Sequence, residues 1–460
     1  MLTKRFGFFS LCALACALAA CASPSGGAAG VAGAIPQGAT LPLGKYIKHV
    51  VIVVQENRSF DNLFAGYPGA DAPMYGRLFK SPGPDATAPL HEITLEGDPG
   101  SGPPHGFSNA IWDWNKGRMD GFNTYTSVPT ALYSYVSRKE TKPYWDMARE
   151  WVLADHMFPT EFGPSFTAHL DLIAGTTDLT PTKTVIDVPY GADAFYGWGC
   201  AANKSARTAV ATIADPHPSP SGNGPFPCFD QWRTMADTLD AAKLSWRYYA
   251  PVLSQNGGLW SAFQAIRNVY YGPDWKNNVV SPPSQFLVDT ANGNLAAVTW
   301  VIPEAQDSDH PATHSNTGPS WVASVVNAVG QSKDWDSTAI FIVWDDWGGY
   351  YDNVAPPQPN VPFTGNGIRV GCLIVSPYAK HGYVSHTDYQ FGSILHFIED
   401  AFNLPPLGTL AQGYTDGTST LPTDSFDFTQ KPRTFVPIAA PYPPAYFRHE
   451  KPSGKAPDDD

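Results

Sequence analysis

Four short runs of apolar, largely β-branched residues stand out along the chain, at 49–54, 295–302, 338–344 and 370–375. Their apolar positions are continuous rather than alternating, which predicts strands buried on both faces of a parallel sheet. Between them apolar residues recur at helical spacing over 231–244, 321–329 and 393–402. A further short helix is predicted over 166–174, directly behind Gly163-Pro164-Ser165. Strands alternating with helices predict an α/β fold with a mostly parallel central sheet and helices on both faces. Two stretches rich in Trp, Tyr, Gly and Pro, near 65–140 and 178–230, lack either period and predict loop-rich insertions that cap one end of the sheet. The expected organisation is one domain over 44–450 and a loose polar tail over 451–460.

Ahead of that domain, Lys4 and Arg5 precede an apolar run from Phe6 to Ala20 that ends at Cys21. A charged start, a short apolar centre and small residues before a cut predict a signal peptide over 1–20. Leu18-Ala19-Ala20-Cys21 resembles the bacterial lipobox, which implies that Cys21 carries a lipid and anchors the chain to a membrane. Ala22 and Ser23 follow, without the Asp that retains such proteins at the inner membrane. The expectation is an exported outer-membrane lipoprotein facing the periplasm or the cell exterior, on a flexible tether over 21–43.

Composition changes the picture in two places. With 29 Lys+Arg against 42 Asp+Glu the net charge is −13, and no basic run interrupts it, which argues against nucleic acid as a partner. An anionic substrate is still open, because a bound cation or a helix N-terminus reverses the local field. Of the six cysteines, Cys12 and Cys16 fall in the signal. Cys200 and Cys228 flank a Pro/Gly/Ser-rich stretch, 215–227, and a disulfide between them is expected in an oxidising compartment. Cys372 sits inside a predicted strand and reads as a core thiol.

Ligands of open α/β sheets bind outside the carboxyl ends of the strands. Two apolar runs end there in polar clusters, Glu56-Asn57-Arg58-Ser59-Phe60-Asp61 and Asp345-Asp346-Trp347-Gly348-Gly349-Tyr350. Adjacent carboxylates at the end of a buried strand repel, and a divalent cation relieves them. Glu56, Asn57, Asp345 and Asp346 form an all-oxygen ligand set suited to Ca²⁺, Mg²⁺ or Mn²⁺. The plainer reading has the two aspartates capping a turn and Glu56 pairing with Arg58.

These two clusters, with Tyr351-Asp352-Asn353-Val354 after the second, resemble signatures of the bacterial phospholipase C/acid phosphatase family of phosphoesterases. Arg369-Val370, Ser376-Pro377-Tyr378-Ala379 and Val384-Ser385-His386-Thr387 resemble a third block, so the likeness runs from about residue 46 to 405. Asn353 stands where a His is usual in that family. The resemblance implies an alkaline-phosphatase-like core, a metal-bound Ser or Thr nucleophile and a covalent phosphoryl-enzyme, with the nucleophile at Ser165. Independently, Ser165 opens a predicted helix whose N-terminal amides favour a phosphate, though a Ser there is also an ordinary helix cap. Thr160, Thr167 and Ser59 are rivals.

The resemblance also implies an acidic/His cluster at 307–310. His310 is the candidate for holding a phosphoryl oxygen and protonating the leaving alkoxide, with His314 as an alternative. Asp307 or Asp309 would orient the imidazole, and Asp309 is counted with the substrate-binding residues. His105 matches a further family position and would donate to a non-bridging oxygen. His169 and His386 read as structural hydrogen-bonders. The function expected is two-step hydrolysis of a phosphate ester, phospholipids among the substrates, of the phospholipase C type. An acid phosphatase acting on monoesters is the alternative, and a non-catalytic surface binding protein on the same scaffold is the reading from another class.

Overall fold

The computed structural model describes residues 43–460 apart from 81–85, 98–101, 125–128, 192–196, 359–362, 452, 454 and 456–460. The predicted signal peptide, Cys21, nearly all of the tether and most of the tail lie outside the described residues. No helix among the described residues is long and apolar enough to cross a membrane.

The apolar runs assemble into a nine-stranded sheet: β1 (His49–Gln55), β2 (Val152–Phe158), β3 (Trp246–Tyr249), β4 (Val279–Val280), β5 (Val298–Val301), β6 (Thr338–Trp344), β7 (Val370–Val375), β8 (Tyr383–Ser385) and β9 (Tyr389–Gln390). Its order is β4-β3-β5-β1-β6-β7-β2-β8, with β9 also paired to β2. All pairings are parallel except those of β7, which runs antiparallel to both β6 and β2. The strands β5, β6 and β7 are buried at every position, as a sheet covered on both faces requires.

The helices that matter here are α1 (Phe60–Phe64), α2 (Phe107–Trp114), α3 (Lys142–Glu150), α4 (Ser165–Ala174), α5 (Met235–Ala241), α6 (Gly318–Gly330) and α7 (Phe391–Phe402). On one face α4 packs against α7, and Trp300 of β5 donates its indole N–H to the Leu172 carbonyl of α4 at 3.0 Å. On the other, α6 covers β1 and β6 with α3 beside it. The stretches read as loops carry short strands. Tyr75–Leu78 pairs with Ala86–Pro89, and Lys183–Tyr190 pairs with Asp178–Thr180 and Arg207–Thr212. Cys200 and Cys228 form a disulfide with their Cα atoms 4.6 Å apart, and Cys372 is a buried free thiol.

One buried guanidinium ties together the loops that leave β1 and β6. Arg369 donates through Nε to Asp352 Oδ1 at 2.9 Å and through Nη2 to Asp61 Oδ1 at 3.1 Å, all three side chains fully buried. Its Nη1 and Nη2 also donate to the Asp155 carbonyl and to Asn353 Oδ1, each at 2.8 Å. Asn353, in the usual His position, thus serves this clamp. Burial and the repulsion of Asp352 push Asp61 well above the usual carboxylate range, against the pull of Arg369. Arg369→Met would leave two buried carboxylates uncompensated. It is expected to lower unfolding free energy by about 3–5 kcal/mol, read from the urea midpoint; a shift below about 1 kcal/mol would show that Arg369 is not the clamp.

Candidate active site

Glu56 and Asp345 emerge side by side because β1 and β6 are parallel neighbours, with Gln55 opposite Trp344. The pairing continues past the strands: Asp345 N–H donates to the Gln55 carbonyl at 3.0 Å, and Asn57 N–H to Asp345 Oδ1 at 2.9 Å. Asn57 makes the turn with φ at 56°, a left-handed conformation that Asn tolerates better than most residues. Gly348, with φ at 62°, lies directly on it: a Cβ there would stand 2.1 Å from the Asn57 carbonyl oxygen. Only glycine lets the two loops meet. Gly348 N–H donates in turn to Asp346 Oδ1 at 2.7 Å.

Ser165 is the first residue of α4, and the cap position belongs to Pro164. The Ser165 hydroxyl therefore does not serve as the N-cap of its own helix. It lies 3.3 Å from both Asn57 Oδ1 and Asp346 Oδ2. Two of its three rivals are otherwise engaged. Ser59 caps α1 and donates to the Tyr351 carbonyl at 2.7 Å, and Thr167 donates to the Pro164 carbonyl at 3.1 Å. Thr160 is buried on the loop before α4, with no hydrogen-bond partner for its hydroxyl among the described residues.

His169 is the residue the sequence reading undervalued. It lies one turn beyond Ser165 on the same face of α4, with Nε2 at 2.8 Å from Glu56 Oε1 and 3.6 Å from Asp345 Oδ2. The Ser-x-x-x-His spacing at the head of a helix was the signal available. Ligand-type atoms of Glu56, His169 and Asp345 lie within 4.8 Å of one another, all buried. Burial and the Glu56 carboxylate push Asp345 well above the usual carboxylate range, with His169 opposing.

The amide of Asn57 carries further information. His105 Nδ1 lies 2.8 Å from the Pro103 carbonyl, to which it donates, so in the neutral ring Nε2 is a lone pair. That lone pair accepts from Asn57 Nδ2 at 2.8 Å, and the same amide nitrogen stands 3.2 Å from His310 Nε2. The amide oxygen then faces Asp345 Oδ1 and Glu56 Oε2, both at 3.2 Å, and Ser165 Oγ at 3.3 Å. Reversed, the amide donates to Asp345 Oδ1, Glu56 Oε2 and Ser165 Oγ and accepts from His105 Nε2 and His310 Nε2, so its orientation follows the protonation of the two imidazoles. Asp345 Oδ2 is buried and without a hydrogen bond among the described residues, an acceptor left over for a cation. The donors present fit a divalent cation.

Asp309 is placed differently from its expected role. Its Oδ2 accepts from Tyr144 Oη at 2.7 Å and Trp344 Nε1 at 3.1 Å, so the carboxylate faces the packed interior beneath α3 and not a substrate. Burial raises it to about 6, while Tyr144, Arg58 and Trp344 pull it down. Its φ of 69° is what reverses the chain ahead of His310. Arg58 is bonded to this turn through Nε and the Asp309 carbonyl at 2.8 Å, and stacks on Tyr350 with the ring centroid 4.8 Å away. Asp307 is held by Thr317 Oγ1 at 2.6 Å. His386 is a hydrogen-bonder to Asp155 at 2.9 Å, as read.

Beside Ser165 opens a cavity of about 400 Å³, lined by Pro103, Pro104, His105, Asn109, Pro164 and Asp187 among others. The phosphoesterase family model matches residues 47–405. The chain belongs to the phosphoesterase family. Among relatives, a non-hemolytic phospholipase C of Burkholderia pseudomallei is 26% identical over 431 residues, covering 78% of this chain and 55% of its own length. Phospholipase C B of Mycobacterium tuberculosis is 24% identical over 448 residues, covering 85% of this chain and 80% of its own. The chain thus spans little more than half the length of the Burkholderia relative. A crystal structure of an alkaline phosphatase superfamily protein from Vibrio parahaemolyticus superposes over 82% of this chain and 71% of its own, with a TM-score of 0.37 and 10% identity.

Proposed function

We propose that this protein hydrolyses phosphate diesters, in the manner of a phospholipase C, through a phosphoserine formed on Ser165. The observation that carries the reading is the Ser165 hydroxyl at the N-terminus of α4, 3.3 Å from Asn57 Oδ1 and from Asp346 Oδ2. A divalent cation held by Glu56, Asn57, Asp345 and Asp346 would lower the pKa of a bound hydroxyl and stabilise charge on the phosphoryl oxygens. Among the ions expected, an imidazole beside the set favours Mn²⁺ over Ca²⁺ or Mg²⁺.

The residues of the chain divide the remaining work. Ser165 attacks phosphorus in line, with the first-turn amides of α4 directed at the phosphoryl oxygens. His310 holds the leaving oxygen and gives it a proton, and His105 steadies a non-bridging oxygen. His169 holds Glu56 in its rotamer. Asp309 acts on His310 only through the backbone turn. Water then attacks the phosphoserine, with His310 as base.

Two observations favour a diester over a monoester. Relatives named phospholipase C cover most of the chain. The cavity beside Ser165 carries the Asp187 carboxylate and no Lys or Arg among its described lining residues. The second negative charge of a monoester would find no basic side chain there. With Mn²⁺ present, kcat/KM for p-nitrophenylphosphorylcholine is expected to exceed that for p-nitrophenyl phosphate at least about tenfold. The reverse preference would assign an acid phosphatase. No turnover of either with any divalent metal would leave a binding scaffold.

A further inference from the structure

The hairpin at Tyr75–Leu78 and the helix α2 present a surface that the hydrolytic reading does not use. Tyr75 and Arg77 alternate onto one side of their strand, with Tyr75 54% exposed and Arg77 exposed, and Phe79 follows directly after it. Arg118 lies over the Phe79 ring at 5.4 Å, and Arg77 Nη1 donates to the Arg118 carbonyl at 3.2 Å. Phe79 also lines a groove of about 310 Å³ with Trp112 and Lys116. Trp112 is 53% exposed, although Phe107 of the same helix is completely buried and Trp114 half-buried. Contact by contact, three cations and three aromatics form one continuous face. Its acidic neighbours are Asp120, nearly buried and 3.4 Å from Arg118, and exposed Asp71, which lines a pocket with Tyr75 and Arg77 and is bonded to the Asn353 amide at 2.8 Å.

We propose that this face docks on the surface of an anionic phospholipid bilayer. In a chain of net charge −13 a cationic patch is against the trend, and the complementary partner is an anionic one. Exposed Trp and Tyr among the basic residues suit the headgroup boundary, where an amphipathic ring has one side apolar and the other wet. Three basic residues are few for a nucleic acid, which the overall charge would repel. The placement has a consequence for catalysis. Asn109 of α2 lines the cavity beside His105, while Trp112, one turn further along the same helix, lines the docking groove. A membrane engaged by Trp112 therefore lies next to the mouth of the active site. The docking inference stands on the surface alone and does not require the hydrolytic reading.

The test is cosedimentation of the full chain with vesicles of phosphatidylcholine, and of phosphatidylcholine with phosphatidylglycerol at equal amounts. An acyl anchor holds both kinds alike, so the difference between them reports the face. The expected result is preferential binding to the anionic vesicles that falls with salt. Each basic residue near such a surface is worth about fivefold in partitioning, so Lys116→Glu with Arg118→Gln should weaken the anionic preference at least about tenfold. Trp112→Ala should weaken it without changing its salt dependence. Lys276→Glu, at an exposed position beside edge strand β4, should leave it unchanged. Turnover of a soluble p-nitrophenyl ester should be the same in all four proteins. Equal binding to both vesicle types, or equal loss in Lys276→Glu, overturns the proposal, as does tighter binding to a poly(U) strand than to anionic vesicles. A soluble-ester rate near zero with intact docking would count against the hydrolytic reading alone.

Discussion

Ser165→Ala is expected to lower turnover of a p-nitrophenyl ester by at least about 1,000-fold, with little change in folding stability. The small stability effect follows from the local structure. Ser165 does not cap its helix, and its contacts to Asn57 and Asp346 are both long, at 3.3 Å. A lost cap would instead cost about 1 kcal/mol. The large kinetic effect follows from chemistry: among the described residues no other hydroxyl is placed at once on the helix N-terminus and on the carboxylate cluster. Acid quenching of the wild-type enzyme during turnover should trap phosphate on Ser165. A chiral phosphate ester should be hydrolysed with net retention, because two in-line displacements each invert. Activity persisting in Ser165→Ala, or net inversion, would replace the covalent mechanism with direct attack by water.

Much of this site was legible because its residues sit at the ends of strands that announce themselves. The runs at 338–344 and 370–375 have in the structure the bounds read from the sequence, and the first delivers Asp345 and Asp346 to the sheet's carboxyl end. Strand β2 was not legible, because Asp155 and His156 interrupt its apolar run. Asp155 is tolerated there only because the Asp71 amide and His386 reach it across the sheet's edge, at 2.9 Å each. Such long-range partners leave no trace in local periodicity. The antiparallel course of β7 was hidden for the same reason, since a fully buried run reads alike in either direction. His169 and Asp309 show the limit at the level of single side chains. Their spacing from Ser165 and His310 was visible, yet which way each imidazole or carboxylate turns depends on Glu56 and on Tyr144, more than 100 residues away in sequence.

Chelation should abolish activity and also lower the melting temperature, and the two effects have one origin. Glu56, Asp345 and Asp346 are all fully buried; ligand-type atoms of Glu56, Asp345 and His169 lie within 4.8 Å of one another, and Asp346 adjoins them through Ser165. A bound cation favours the folded state by RT ln(1 + [M]/Kd), about 2.7 kcal/mol at a hundredfold excess over Kd, or roughly 3 °C for a domain of this size. Removing it returns the like-charge repulsion that the sheet's register enforces, because Gln55 opposite Trp344 fixes how closely Glu56 and Asp345 approach. Asp345→Asn separates this account from a purely structural role. The substitution removes a ligand charge but keeps an acceptor for the Asn57 amide proton. The variant should melt at or above the wild-type temperature in chelator, yet gain little on adding Mn²⁺ and lose at least about 100-fold in rate. A cluster serving only to hold the loops together would behave in the opposite way. Asp345→Asn would then melt lower in chelator, and the metal would move neither protein. Differential scanning fluorimetry of both proteins across a Mn²⁺ series, beside the same series read as ester hydrolysis, distinguishes these outcomes directly.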